Sequence, residues 1–495
     1  MAKKIIIIGG GIAGLSTGTY AQINGYDAII FEKHSKPGGM CTSWHRKGFT
    51  FDYCIHNLAG TGNVRLREVW NDLGALEGTE IINHEAFISI EDSQDNVLNI
   101  YTDLDRLEKH MKEIAPEDSK AIEEYVKAGK SLPADDLFSM DMGGTMNKLK
   151  MAANLPKIIK WGKISLNDYA EKFDNKFLKK AFPHVQYDMS KSNIPMFPHL
   201  LFLSCFNAGD MGWPKGGSLE FSRRIAKRFT DLGGELNQSS KVEKIIVEDN
   251  KAVGIVLADG SEHRGDIVVS AADGHETIYE MLDGKYTNET IDKYYQAYEE
   301  EQEFGLQVFL GLNRDLSNEP HAIALLLDEP VKLELKERGS LYLELFDSST
   351  GVAPEGKSVI KVVTKGNYDY WKKMREEDLE NYRNEKEIVY KKVLEILERR
   401  FPGIKEQVEV HDVTTPATVE RYTLNFHGWQ PWPVPDGGMM TMMKGISKTL
   451  PGLENFYMVG QWATAMIGIP NAALTGRNLI KELCKKDKKK FRTQI

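Results

Sequence analysis

Apolar positions fall into two rhythms along this chain, and the changes between them mark its elements. The chain opens on a continuous apolar run, Ile5-Ile6-Ile7-Ile8, which predicts a strand buried on both faces. A glycine-rich turn follows, Gly9-Gly10-Gly11-Ile12-Ala13-Gly14, and then an apolar helix-like segment to Asn24. Gly25-Tyr26 turns the chain into a second strand-like run, Ala28-Ile29-Ile30-Phe31, which ends on Glu32. Further on, Gly48 to His56 alternates like a strand. Helical spacing appears over Leu104–Ile114 and Ala121–Val126, with Ala115-Pro116-Glu117-Asp118 as a break and restart. Leu219–Leu232 predicts a helix. Val242–Val247 and Ala252–Leu257 flank Asp249-Asn250 as a hairpin. Ile267 to Asp273 reads as a buried strand running into a helix start. Phe304–Leu312 and Val359–Val363 read as strands, and Asn381–Phe401 as an amphipathic, highly charged helix. Near the C-terminus, Phe456–Gly460 is a strand ending in glycine. It leads through Ile467-Gly468-Ile469-Pro470 into a helix containing Gly476-Arg477-Asn478.

The first of these units carries chemistry. Gly9-x-Gly11-x-x-Gly14 fits G-x-G-x-x-G between a strand and a helix, the order a dinucleotide requires. Gly9 permits the tight turn. Gly11 lets the backbone approach a pyrophosphate. Gly14 allows close packing of helix on sheet, and Gly18 extends that small face. Ile12 and Ala13 lie at the helix N-terminus, whose N–H groups and partial positive charge suit phosphate. Glu32 lies close to the roughly 20-residue spacing expected of the acid that binds a ribose 2′-OH. Its charge would repel a 2′-phosphate, which disfavours NADP. The competing reading, a glycine turn that binds nothing, loses ground to the placement of all four elements.

Length and charge narrow the class. The chain has 495 residues, enough for two or three domains, and a formal charge of −9, which argues against nucleic-acid binding. Cys41, Cys54, Cys205 and Cys484 form no metal-spaced pair, so no metal site is expected and reduced thiols are. No apolar run reaches the roughly 18 residues of a spanning helix, and the N-terminus runs directly into a core strand. These features predict a cytoplasmic protein, with peripheral membrane contact left open.

From Pro37-Gly38-Gly39-Met40 onward the sequence resembles a known family. The motif, its acid and the trailing Pro-Gly-Gly are similar to the FAD oxidoreductases that include amine oxidases and phytoene desaturases. Gly48-Phe49-Thr50-Phe51-Asp52-x-x-x-His56 is more similar to the carotenoid isomerase and retinol saturase branch. The resemblance implies FAD held by Gly9, Gly11, Ile12, Ala13, Gly14, Glu32 and Lys33, with Gly38, Gly39 and Met40 toward the flavin. It implies that the backbone around Val242 holds the adenine. It places Gly460 and Ile469 over the ribityl chain and ring, where a helix N-terminus stabilises reduced flavin. Ala463-Thr464-Ala465-Met466 departs from the family's glycine-rich loop here. The implied fold is α/β: a Rossmann-type FAD-binding domain from residues 1–85, 200–275 and 411–495, with an inserted α+β substrate domain from 86–199 and 276–410. A helical lid is expected around 132–166.

The resemblance further implies oxidation, reduction or isomerisation of carbon–carbon bonds in an apolar isoprenoid, carotenoid, retinoid or lipid-like substrate. His56, Arg421 and Tyr422 are the catalytic candidates. Asp52, Thr415, Pro416, His427, Trp429, Trp432 and Met439–Met443 are possible lining residues. His56 suits proton exchange at a C=C bond, or is a core histidine; Asp52 reads as a backbone anchor. Two rivals stay open: a flavin amine oxidase or protoporphyrinogen oxidase, and a non-catalytic FAD scaffold. In the lid, Met140, Met142, Met146 and Met151 accompany Lys148, Lys150, Lys157, Lys160 and Lys163, and Pro156 is expected to split it into two helices. With Leu149, Leu155, Ile158, Ile159 and Trp161 this segment suits an anionic membrane surface; the alternative is an ordinary helical cap.

Overall fold

The computed structural model describes residues 2–62, 64–132, 145–186, 194–296, 303, 305–428, 447–463 and 468–494. Outside them fall Met140, Met142, Trp429, Trp432, Met439–Met443 and Thr464–Ile467, together with the side chains of Met146, Lys148, Leu149, Lys150 and Met151.

A five-stranded parallel sheet forms the first layer. Its strand order is Glu235–Asn237, Asp27–Phe31, Lys4–Ile8, Ile267–Ser270, Phe456–Met458. The chain builds outward on one side of Lys4–Ile8 and then returns to build on the other. Such a reversal leaves a crevice beyond the carboxyl ends of the strands, and Gly9–Gly14 occupies it. Ile5 to Ile8 are buried because sheet neighbours lie on both sides and elements cover both faces. This explains a continuous apolar run where an exposed sheet would alternate.

The first helix, Ile12–Ile23, is held by contacts that only glycine permits. A Cβ on Gly14 would lie 1.9 Å from the Gly9 carbonyl oxygen. One on Gly18 would lie 2.8 Å from Phe229, on the helix Gly217–Asp231. One on Gly476, in the C-terminal helix Ile469–Lys486, would lie 2.7 Å from the Thr17 nitrogen.

The second layer is a seven-stranded sheet ordered Val408–Thr414, Leu306–Leu312, Ser358–Thr364, Lys336–Asp347, Ala322–Leu333, Ala86–Glu91, Val97–Tyr101. Alternate residues serve two cores. Leu306, Val308, Leu343 and Val362 pack with Trp371, Val389, Val393 and Leu397 of the helices Tyr368–Glu377 and Leu379–Arg400. Phe309, Tyr342, Phe346 and Val359 face the other way and join the core of the nucleotide side. The first sheet's strands all come from the segments read as nucleotide-binding, whereas Val408–Thr414 crosses the expected boundary at 411. We propose the domain division with that strand assigned to the substrate side.

Three expectations need correction. The strand expected from Gly48 to His56 stops at Asp52, because the Asp52 side chain is used to anchor a helix, described below. Pro156 does not divide its segment: one helix runs Thr145–Gly162 through it. The roughly 3 kcal/mol cost of an interior proline is opposed by burial of Ile158 and Trp161 just beyond. Those two side chains are therefore core, not surface. Among the described residues no helix is long and apolar enough to cross a membrane.

Candidate functional site

The glycine turn has the geometry a dinucleotide needs. Gly9 has φ +96°, a conformation side chains rarely adopt. Gly11 precedes the first helix with φ −70° and ψ 178°. A Cβ there would come no nearer than 3.9 Å to the Gly38 carbonyl, so the chain leaves this space unused. No side chain caps the helix and no acidic residue lies in its first turn. Its positive end is thus left for an external anion.

Glu32 is buried at the end of the second strand. It accepts N–H bonds from Gly10 at 2.6 Å and His34 at 2.7 Å. Burial pushes its carboxyl up, and these backbone donors oppose that shift. Two oxygens offer more lone pairs than two donors use, so a ribose hydroxyl fits as well. Glu32 also ties the approach to Val242, since its carbonyl accepts the Ser240 N–H; Val242 itself is buried at the start of its strand.

Gly38 and Gly39, with φ +116° and +61°, turn the chain back against Gly10, and the Gly38 N–H bonds the Gly10 carbonyl. Met40 Sδ accepts from Asn425 Nδ2 at 3.0 Å. Gly460, with φ +99°, donates its N–H to Thr475 at 2.8 Å, and a Cβ on it would meet Ala13 at 3.4 Å. Ile469 opens a second helix whose N-terminus also lacks a side-chain cap and a first-turn acid. Two uncapped helix ends therefore belong to the same glycine-lined region.

Arg421 and Tyr422 belong to the Glu32 end. The Arg421 carbonyl accepts from Lys33 Nζ at 2.7 Å, and the Tyr422 ring packs on His34 at 5.6 Å. Arg421 also lines a cavity of about 210 Å³ with Asp273, Glu276, Lys372 and Glu420. Thr415 caps the helix Pro416–Thr423 through a capping box with Thr418. His427 stacks on Tyr368 at 4.4 Å. Asp273, pushed up to about 7 by burial, accepts N–H bonds from Glu276 and Phe426. It joins this segment to the end of the fourth strand of the first sheet.

Asp52 is the anchor it was expected to be. Its carboxylate takes the Ser218 N–H at 2.5 Å and the Ser218 hydroxyl at 2.7 Å. His56 lies elsewhere in character. Its chain is tied to the same helix by the Ile55 N–H, which bonds Ser218 Oγ at 2.9 Å. Its ring reaches the second sheet: Nδ1 lies 2.6 Å from Glu344 Oε1, and Glu344 Oε2 lies 2.6 Å from Lys361 Nζ. Glu344 and Lys361 are completely buried, and His56 is 21% exposed. Burial pushes Glu344 up, but the charges of His56 and Lys361 outweigh it and hold the carboxyl well below its usual range.

The sequence reading missed Glu344 and Lys361. A signal existed: each is a lone charge, of opposite sign, inside an apolar strand run, Leu341-Tyr-Leu-Glu344-Leu-Phe and Val359-Ile-Lys361-Val-Val.

The fold and its glycine turn define a Rossmann-like dinucleotide-binding unit. A family model described as an NAD(P)-binding Rossmann-like domain matches residues 7–73. An oxidoreductase from Methanosarcina mazei shares the fold, with a TM-score of 0.61 at 16% identity, over 97% of this chain and 100% of that one. The chain is 25% identical to chloroplastic prolycopene isomerase from Daucus carota, over 95% of itself and 78% of the relative. It is 24% identical to all-trans-retinol 13,14-reductase from Danio rerio, over 84% and 75%. Over most of its length the chain is thus similar to oxidoreductases and isomerases named for carotenoid and retinoid substrates.

Two glycine variants should separate binding from folding. Gly11→Val meets open space and an ordinary φ, so the dinucleotide-free protein should melt like wild type yet fail to retain a dinucleotide. Gly14→Ala forces a Cβ onto the Gly9 carbonyl and should cost about 1–3 kcal/mol of stability. Thermal melts of the stripped proteins, with analysis of bound dinucleotide, check both. A Gly11→Val protein that keeps its dinucleotide contradicts the assignment.

Proposed function

We propose that this protein is an FAD-dependent oxidoreductase that desaturates, saturates or isomerises carbon–carbon bonds of an apolar isoprenoid, carotenoid, retinoid or lipid-like substrate. The observation that carries this reading is the glycine turn: the two helices beside it begin with neither a side-chain cap nor a first-turn acid, and the buried Glu32 carboxyl closes the second strand next to it. Relatives spanning most of the chain, named for isomerisation of prolycopene and reduction of retinol, support the same chemistry over amine oxidation.

FAD, when bound, exchanges the hydride. The chain's own share is orientation and the proton. Gly9 to Gly14 and Glu32 hold the dinucleotide, Glu32 selecting against a 2′-phosphate. Gly38 to Met40, Gly460 and Ile469 bound the flavin half. His56 exchanges the proton that balances the hydride. Arg421 and Tyr422, by their contacts with Lys33 and His34, act on the adenosine side instead of at the reacting carbons.

Anaerobic reduction followed by addition of a detergent-dispersed polyene tests the reading. The reduced flavin should be reoxidised as the polyene spectrum changes. Reoxidation by imines alone, or by no organic acceptor, would overturn it. His56→Ala should slow polyene turnover about 10²- to 10⁴-fold with the flavin spectrum intact; equal turnover would return His56 to a structural role.

We also propose that Thr145–Gly162 meets a membrane surface, on narrower ground than the sequence offered. Leu155 and Ile159, one turn apart, are 42% and 46% exposed. Lys163 is exposed as well. Lys160, however, pairs with Glu124, and Lys157 donates to the Ser131 carbonyl, so neither charge is fully available to lipid. Co-sedimentation with anionic vesicles should be lost in Leu155→Glu/Ile159→Glu. Equal sedimentation of that variant and wild type would exclude this face.

A further inference from the structure

The sequence marked His56; the structure joins it to two residues that carry no motif. Glu344 and Lys361 stand directly opposite each other on neighbouring antiparallel strands, Lys336–Asp347 and Ser358–Thr364. One carboxylate oxygen meets the imidazole and the other meets the ammonium, each at 2.6 Å.

We propose that Glu344 and Lys361 are positioning residues for His56: they fix Nδ1 as the hydrogen-bond donor and make Nε2 the atom that exchanges a proton with substrate. The use of that proton rests on the carbon–carbon oxidoreductase reading. The positioning itself rests on the geometry.

An ionised carboxylate only accepts hydrogen bonds. Glu344 is held ionised by its two neighbours, so the hydrogen between it and His56 sits on Nδ1. The ring then has its orientation and tautomer set by a second residue, as a histidine–carboxylate pair does in acid–base catalysis. Lys361 has a separate task. A fully buried carboxylate without a countercharge takes up a proton, and Glu344 would then compete with His56 for it. The ammonium prevents this.

Other titratable groups face the cluster, and among the described residues none replaces Lys361. Asp52, from the strand Phe49–Asp52, is raised by burial and engaged with Ser218. His321, beside the start of Ala322–Leu333, stacks on His84 with ring centres 3.6 Å apart. Burial lowers both rings, His84 to about 2, so they add no positive charge near neutral pH.

The proton balance follows. In saturation, bound reduced FAD would supply the hydride for one alkene carbon. The other carbon receives H⁺ from His56 Nε2. The ring passes from imidazolium to neutral with Nδ1–H still on Glu344, and solvent restores the proton. Desaturation reverses each transfer.

Nitrogen NMR of the ¹⁵N-histidine-labelled holoprotein tests this without turnover, the His56 signals being assigned by their loss in His56→Asn. Wild-type neutral His56 should show a protonated Nδ1 and an unprotonated Nε2. Lys361→Met should let Glu344 take up a proton and so weaken the Nδ1–H preference of neutral His56, and Lys361→Arg should restore it. Glu344→Gln leaves Lys361 buried alone and can fail to fold. Glu344→Gln/Lys361→Met removes both charges, and in it the Nδ1–H preference should be lost. Polyene turnover should fall in each variant whose Nδ1–H preference is weakened. A retained Nδ1–H tautomer in the double variant, or an unchanged Nδ1–H signal in Lys361→Met, overturns the proposal. A responsive ring in a protein that never turns over a polyene would instead overturn the functional reading and leave the positioning intact.

Discussion

The nucleotide side of this protein depends on one close approach. The first helix meets the turn before it with no room for a Cβ, Gly14 against the Gly9 carbonyl. That contact sets where the helix begins and aims its uncapped end into the crevice between the first and fourth strands of the sheet. Everything else converges on the same place. Gly476 brings the C-terminal helix onto the first helix, and Gly460 packs beside Ala13. Chain segments separated by most of the sequence thus meet around one glycine turn.

The opposing sheet carries a different constraint. Burying Glu344 and Lys361 together is poor ground for stability, since a well-packed apolar pair of similar size is often as stable, whereas losing one partner costs roughly 3–5 kcal/mol. A pair that adds little stability but touches the ring of His56 fits a functional role. The layout supports it: His56 is tied through Ile55 to the helix Gly217–Asp231 of the first layer and through its ring to the second. It therefore sits where the two layers meet.

The legible parts of the fold were those with local signatures. The Ile5–Ile8 strand, the glycine turn, Glu32 and the Val242–Leu257 hairpin each follow from neighbouring residues, and their strands lie close to where periodicity puts them. Asp52 was legible as an anchor but not by its partner, because Ser218 is distant in sequence. Arg421 and Tyr422 were singled out by motif order alone, and their contacts, the Arg421 carbonyl with Lys33 and the Tyr422 ring with His34, join segments that order along the chain does not bring together. The pairing of Glu344 with Lys361 was not legible for a related reason. Cross-strand register between long strands decides that they meet, and no local pattern encodes it. Pro156 shows the limit of a local rule, since tertiary burial carries a helix through it.

The central claim is that the glycine crevice holds FAD. Mass spectrometry of the small molecules released from the purified protein by heat tests it most directly. The account predicts FAD in near-equal amount to protein and no NADP. Release of NADP(H) in that amount, or of no dinucleotide from a protein that also takes up no added FAD, would contradict it.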